Sequence, residues 1–299
     1  MTENFFDFLE TPGSERTEKP RENGRTMVMT RGFIPDYILD GYADYIDTVK
    51  LLERVLWAPD DVVRDQIQTY QDYDIDVQLG GLPAEISRLN GQEEEFMEEI
   101  RNLGIEWIEY ETHVDNPTDE AIAHEIGHLQ DQGFRVVGEV GAKWFWNDPT
   151  RRALDEIDVD RTVERIERFI DAGAEKVFWE GLIVRNLIGK QLDNIKGQKA
   201  LLEVAEAVGH ENLVFEMWGP GLTARECPRF WSWLVYQFGP NVNVANVTPV
   251  GVLDLESVRR GVTWDMDHPY IRWLDQDKPT ENWWKMEAPP YQLGLERDP

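Results

Sequence analysis

Eight short runs of apolar, β-branched or aromatic residues recur along this chain, and a charged segment with helical spacing separates most of them from the next. The runs are Thr26–Met29, Ile46–Leu51, Ile75–Leu79, Trp107–Glu111, Arg135–Val140, Lys176–Glu180, Leu213–Met217 and Val242–Val247. The clearest helical segments are Asp60–Tyr73, Glu93–Leu103, Thr118–Gln132, Asp160–Ala172, Lys199–Val208 and Pro228–Phe238. Several end in a glycine that suits a helix C-terminus, such as Gly104, Gly133 and Gly173. Parallel strands need a crossover between them, and a helix is the usual one. Strands alternating with helices therefore predict an α/β protein with a parallel sheet, and eight of them predict a single-domain (β/α)8 TIM barrel. An open doubly wound sheet would carry a G-x-G-x-x-G turn after its first strand, and Met29-Thr-Arg-Gly32 is not one.

The barrel is expected over residues 25–265. Residues 1–24, with Pro12, Gly13, Pro20 and Gly24, read as an N-terminal arm. Residues 266–299 read as a C-terminal extension in which Trp273, Trp283 and Trp284 pack on the barrel or on a neighbouring subunit, because exposed tryptophans are costly. A homo-oligomer is the expected assembly.

Charge narrows the function classes. The chain holds 58 Asp and Glu against 30 Lys and Arg, a formal charge of −28. Such a surface repels a phosphate backbone and an anionic membrane, so neither nucleic acid nor membrane is an expected partner. With 41% hydrophobic residues it is no disordered acidic chain. Only 9 of the basic residues are lysine and 21 are arginine. Acid-rich, lysine-poor and folded is the pattern expected of a halophilic protein, where salt screens self-repulsion. Most carboxylates then serve solubility. The lone Cys227 excludes an internal disulfide and reads as a packing residue. The first residues, with Glu3, Asp7, Glu10 and Glu15, lack the basic and apolar regions of a signal peptide, and no apolar stretch approaches membrane-spanning length. A cytoplasmic protein is the expectation.

In a barrel of this kind function sits at the C-terminal strand ends. The second run ends at Lys50, and the third at Gln78 followed by Gly80-Gly81. The fourth presents Glu109 and Glu111, then His113. The fifth presents Glu139, then Gly141 and Lys143; the sixth ends in Glu180, the seventh in Glu216, the eighth in Asn243 and Asn246. Buried carboxylates must be paired, protonated or metal-bound. A cluster of glutamates suits Mg2+, a hard cation that prefers oxygen ligands. Pairing with Lys50, Lys143 and arginines as structural ion pairs is the other reading. A lysine beside carboxylates and a divalent ion can also move a proton or stabilise an enolate. Separately, His124, Glu125 and His128 spell H-E-x-x-H, the pattern of a zinc hydrolase. Their segment is expected on the outer ring of helices, away from the strand ends.

The strand ends also resemble those of a known family, the phosphosulfolactate synthases of coenzyme M biosynthesis. The similar segments are Tyr45-Ile-Asp-Thr-Val-Lys50, Gly80-Gly81, Gly138-Glu-Val-Gly-Ala-Lys143, Val177-Phe-Trp-Glu-Gly181, Leu213-Val-Phe-Glu216, Asn241-Val-Asn-Val-Ala-Asn-Val247 and Leu255-Glu-Ser-Val-Arg-Arg-Gly261, in the family's order. The resemblance implies a (β/α)8 lyase that uses Mg2+ to add sulfite to phosphoenolpyruvate. It implies Lys143 and Lys50 as catalytic residues, with Lys143 the proton donor to the enolate. Taken with the strand-end pattern, it makes Glu111, Glu139, Glu180 and Glu216 the expected metal ligands or their support, and Gly80, Gly81, Arg31, Arg185 and Asn246 the expected binding residues for a small anionic substrate, with Arg185 standing in for the arginine replaced by Leu182. The chain departs from the family at Thr30 and Arg31, where an Asp–Lys pair is usual, and at Leu182, where an arginine is usual. It also replaces a glycine-rich loop with Leu51-Leu-Glu-Arg-Val-Leu-Trp57 and an acidic-Gly-Ser stretch with Glu111-Thr-His-Val114, and its loop Met217-Trp-Gly-Pro-Gly-Leu-Thr-Ala-Arg225 is longer and more apolar. These changes suit a related enzyme acting on a less phosphorylated substrate of the enolate type. A zinc hydrolase and a non-catalytic binding scaffold complete the set of alternatives.

Overall fold

A computed structural model describes residues 8–13, 16–111, 117–141, 150–153, 155–217, 226–263 and 269–285. Eight parallel strands close into a barrel: β1 (Thr26–Met29), β2 (Thr48–Leu51), β3 (Asp76–Leu79), β4 (Trp107–Tyr110), β5 (Arg135–Val140), β8 (Lys176–Trp179), β9 (Leu213–Glu216) and β10 (Val244–Val247). The remaining two strands, β6 (Arg151–Ala153) and β7 (Glu156–Ile157), form a small antiparallel ribbon after β5 that the sequence pattern does not announce.

The expected helices appear with ends moved by one residue or a few. They are α2 (Asp60–Asp72), α4 (Glu93–Asn102), α5 (Asp119–Asp131), α6 (Val159–Asp171), α8 (Ile195–Val208) and α9 (Cys227–Phe238). Among the described helices that the periodicity does not announce, α3 (Gly81–Leu89) and α7 (Gly181–Ile188) each start at a glycine just past a strand. In α3, Pro83 is compatible with the first turn, where its missing N–H has no helical partner to lose. In α7 the residues are apolar on nearly every side and five of them are buried, so no stripe distinguishes the helix from a strand.

Alternation along each strand sorts the side chains. Val28, Val49, Val77, Ile108, Val136 and Val177 face the helices and belong to the large outer core. Met27, Trp107, Val137, Phe178, Val214 and Ala245 form a separate cluster that fills the barrel's lumen. The floor is tied by charge. Arg25 binds Asp76 at 2.8 Å, and Trp107 lies between the guanidinium groups of Arg25 and Arg135, at 4.8 and 3.9 Å from its ring centre. Residues 16–25 run across this floor, where Arg16 pairs with Glu256 and Arg21 with Asp47, each at 3.1 Å. Arg259, fully buried, donates to the carbonyls of Gly24, Arg25 and Val242 and so joins this segment to β10. At the other terminus Trp273 and Trp283 are buried within the same chain. No helix among the described residues is long and apolar enough to cross a membrane.

Candidate active site

Above the lumen cluster, at the C-terminal strand ends, the barrel turns from apolar to charged. Lys50 on β2 and Glu109 on β4 follow the inward alternation, as do Glu139 on β5 and Glu216 on β9. The Lys50 ammonium donates to Glu109 Oε1 at 2.7 Å and to Glu216 Oε1 at 3.1 Å, and it lies 5.1 Å from the centre of the Phe178 ring below. All three charged residues are buried: Lys50 is 4% exposed, Glu109 0% and Glu216 1%. Burial disfavours the charged form of Lys50, but Glu109 and Glu216 outweigh it and hold the ammonium more firmly than in a free lysine. Burial pushes the Glu109 carboxyl up to about 7 against the pull of Lys50, and Glu111 and Glu216 push it the same way. Its second oxygen, Oε2, is buried and has no hydrogen-bond partner.

Two carboxylate trios surround this ammonium, Glu109–Glu111–Glu139 and Glu139–Glu180–Glu216, each with ligand oxygens within 4.8 Å of one another. Glu139 belongs to both. Glu180 also caps α7, accepting from the Leu182 N–H at 3.0 Å. Gly141, just past β5, has φ +88°, and a Cβ there would lie 2.9 Å from Ile183 and 3.4 Å from the Glu180 Cβ, so glycine lets the β5 end close on Glu180. An all-oxygen donor set with an unsatisfied carboxylate oxygen is the chemistry of a hard divalent cation such as Mg2+. The four glutamates expected as metal ligands thus converge, and Lys50 ion-pairs with one of them. Glu109, the second partner of Lys50, was not singled out as a ligand, although it is a strand-end glutamate like the rest.

The other expected site residues fall in different places. Lys143 and His113 lie outside the described residues. Gly81 packs against Glu111, and a Cβ on it would lie 2.3 Å from the Glu111 Cβ. The Gly80 N–H is used by the Leu51 carbonyl at 2.8 Å. Arg31 is exposed on the loop after β1, beside a small cleft that also involves Leu52 and Val55. Arg185 sits half-buried one turn into α7. Asn246 is 9% exposed, its Oδ1 has no partner, and its φ is +57°. The pairing of β1 with β10 shifts register across this point, so Asn246 sits in a bulge, a device that re-aims side chains at the rims of barrels. Asn243, read from the sequence as a strand-end residue, instead precedes β10 at the floor, where it accepts from the Arg25 N–H and donates to the Glu211 and Leu213 carbonyls.

The rival H-E-x-x-H segment is on the outer helix α5. His124 is exposed there and contacts Glu125 at 3.3 Å, and His128 contacts Gln132 at 2.7 Å. Neither histidine belongs to a metal-capable cluster among the described residues. Cys227 is buried, and burial, with Glu226 adding to it, pushes its thiol up to about 12, which suits packing and not nucleophilic attack.

A closed (β/α)8 barrel whose strand ends gather a buried lysine and converging glutamates defines the class: a barrel enzyme with a carboxylate-rich centre. Comparison with known proteins narrows it. The family model of (2R)-phospho-3-sulfolactate synthase (ComA) matches residues 14–265. A phosphosulfolactate synthase of Methanothermobacter thermautotrophicus is 30% identical over 272 residues, covering 88% of this chain and 97% of that protein. One from Methanocaldococcus jannaschii is 30% identical over 249 residues, covering 82% and 94%. One from Bacillus subtilis is 27% identical over 257 residues, covering 84% and 94%. The chain belongs to the phosphosulfolactate synthase family.

Proposed function

We infer that this chain adds sulfite to phosphoenolpyruvate in a Mg2+-dependent reaction that passes through an enolate. The observation that carries the reading is the pair of glutamate trios sharing Glu139 beside Lys50, in a chain of this family. Glu111, Glu139, Glu180 and Glu216 would hold the cation, and their oxygen donors fit it. Bound Mg2+ supplies neutralisation of the charge that develops on the enolate.

The chain's own groups do the rest. Sulfite sulfur bonds to the terminal enol carbon, and the electron pair of the double bond moves onto the neighbouring carbon and its carboxylate. Lys143 delivers a proton to that neighbouring carbon, which ends the step with no leaving group. Lys50 keeps Glu109 and Glu216 from repelling the anionic substrate and fixes where their oxygens point. Arg31, Arg185, Asn246 and the Gly80–Gly81 turn bind the substrate's anionic groups. The lumen cluster of Trp107, Phe178 and Val214 keeps water from the underside of the site.

The test is direct. The protein in molar salt is mixed with phosphoenolpyruvate, sulfite and Mg2+, and the loss of enol absorbance is followed. Loss that requires both sulfite and Mg2+, and that Lys143→Ala abolishes, supports the reading. Absence of turnover by protein shown to be folded refutes it and favours the less phosphorylated enolate-type substrate that the altered loops suit.

A further inference from the structure

Gln78 is fully buried, and neither its Nε2 nor its Oε1 has a hydrogen-bond partner. A buried primary amide with both ends unsatisfied is expensive, and native proteins keep few such groups. Its direction follows from register. Gln78 pairs across β2–β3 with Lys50 and across β3–β4 with Trp107, and both of those side chains lie in the lumen. Partners in a parallel ladder point to the same face, so the Gln78 amide enters the lumen beside Lys50.

Three residues on, the nine-residue helix α3 begins at Gly81. Its leading N–H groups, on Gly81 and Leu82, have no intrahelical partner, and the cap residue Gly80 has no side chain to offer. These N–H groups sit at the same end of the barrel, since a Cβ on Gly80 would lie 3.6 Å from Lys50 Cε. The glutamates of the two trios come from β4, β5, the end of β8 and β9. The β4-to-β9 strand ends offer carboxylates for a cation, while β2 and β3 contribute an ammonium, a neutral amide and a helix N-terminus; the two sets meet where Gly81 packs on Glu111 and where Lys50 reaches Glu109 and Glu216.

The geometry points to the β3–α3 junction as an oxyanion subsite, with the Gln78 Nε2–H group and the first N–H groups of α3 as its donors. This assignment rests on the proposed reaction for the identity of the anion and goes beyond it in adding Gln78 and the first N–H groups of α3 as the donors that meet one oxyanion. Two substrate groups share the required chemistry, sulfite and the phosphate of phosphoenolpyruvate, and both are oxyanions that accept from N–H donors.

Gln78→Met keeps the length of the side chain and deletes both polar atoms, and Gln78→Glu puts a negative charge where the anion would dock. Each variant is measured for KM against both substrates, for kcat, and for Tm without substrate. The expected result for Gln78→Met is a KM about tenfold higher for one substrate, kcat changed less than about threefold, and a Tm equal to or above that of the parent. Gln78→Glu should raise the same KM further. A rise in KM for sulfite places sulfite at the junction, and a rise for phosphoenolpyruvate places its phosphate there. KM values within about twofold of the parent, or a Tm several degrees lower in Gln78→Met, overturn the assignment, because the amide would then be a structural one. If the parent chain does not turn over this substrate pair, the proposed reaction fails and the subsite is read separately, by thermal shift with inorganic phosphate and with sulfite. A stabilisation present in the parent and absent in Gln78→Met sustains the subsite, and equal shifts in both proteins refute it.

Discussion

Replacing Lys50 with methionine keeps most of the buried stem and deletes one charge from the centre of the site. Glu109 and Glu216 lose the ammonium they share at 2.7 and 3.1 Å, and at 0% and 1% exposure neither can turn to water. Removing one partner of a buried ion pair costs about 3–5 kcal/mol. Unfolding entropy near 2.1 cal/mol/K per residue gives this 299-residue chain roughly 0.6 kcal/mol per degree, so Tm should fall by about 5–8 °C near pH 8. The loss should shrink in acid. The parent's lysine, its proton held more firmly than usual, contributes fully below the ordinary lysine range and loses that contribution only at higher pH. In the variant Glu109, whose carboxyl burial already pushes up, can instead take up a proton as the pH falls, which removes one bare charge. Thermal unfolding followed by circular dichroism between about pH 5 and pH 8, in constant molar salt, reads the difference. A Tm loss under about 2 °C at pH 8, or the same loss at both ends of the range, would refute this account of the buried cluster.

The Glu109 carboxyl, pushed by burial up to about 7, binds more protons folded than unfolded between the ordinary glutamate value and about 7, so its contribution makes stability fall as pH rises through that window. Glu109→Gln should remove the decline, moving the stability difference in the variant's favour by on the order of 3 kcal/mol from pH 5 to pH 8 in urea titrations, and a difference that ignores pH would count against it. Gly81→Ala places a methyl 2.3 Å from the Glu111 Cβ and 3.0 Å from its backbone nitrogen, so the β3–α3 junction or Glu111 must shift. The expected cost is about 1–3 kcal/mol of stability with a larger proportional loss of turnover; a variant with parental Tm and activity would show that this contact relaxes freely.

The elements of the site differ in how much of them the sequence carries. Strand-end glutamates are legible because a charged residue that closes an apolar run has nowhere to go but the barrel's end, and this exposes Glu139, Glu180 and Glu216. Gln78 is not legible, since a lone glutamine near a strand end is ordinary until its burial and its missing partners are known. The same holds for Asn246, whose bulge comes from a register shift between two strands more than 200 residues apart. Helices α3 and α7 were missed because one holds a proline in its first turn and the other is apolar on nearly every face, so neither shows the amphipathic stripe on which the reading relies.

The sequence by itself determined the architecture. Strand and helix periods are local properties of the chain, and eight alternations leave few closed solutions besides the barrel. It also determined that carboxylates and a scarce lysine would stand at the strand ends. Only the tertiary structure decided which of them meet. That Lys50 takes Glu109 and Glu216, that Glu139 serves both trios, and that Gln78 is buried beside Lys50 all depend on barrel closure, strand stagger and side-chain reach. These are distances between residues far apart in the chain, and no local pattern encodes them.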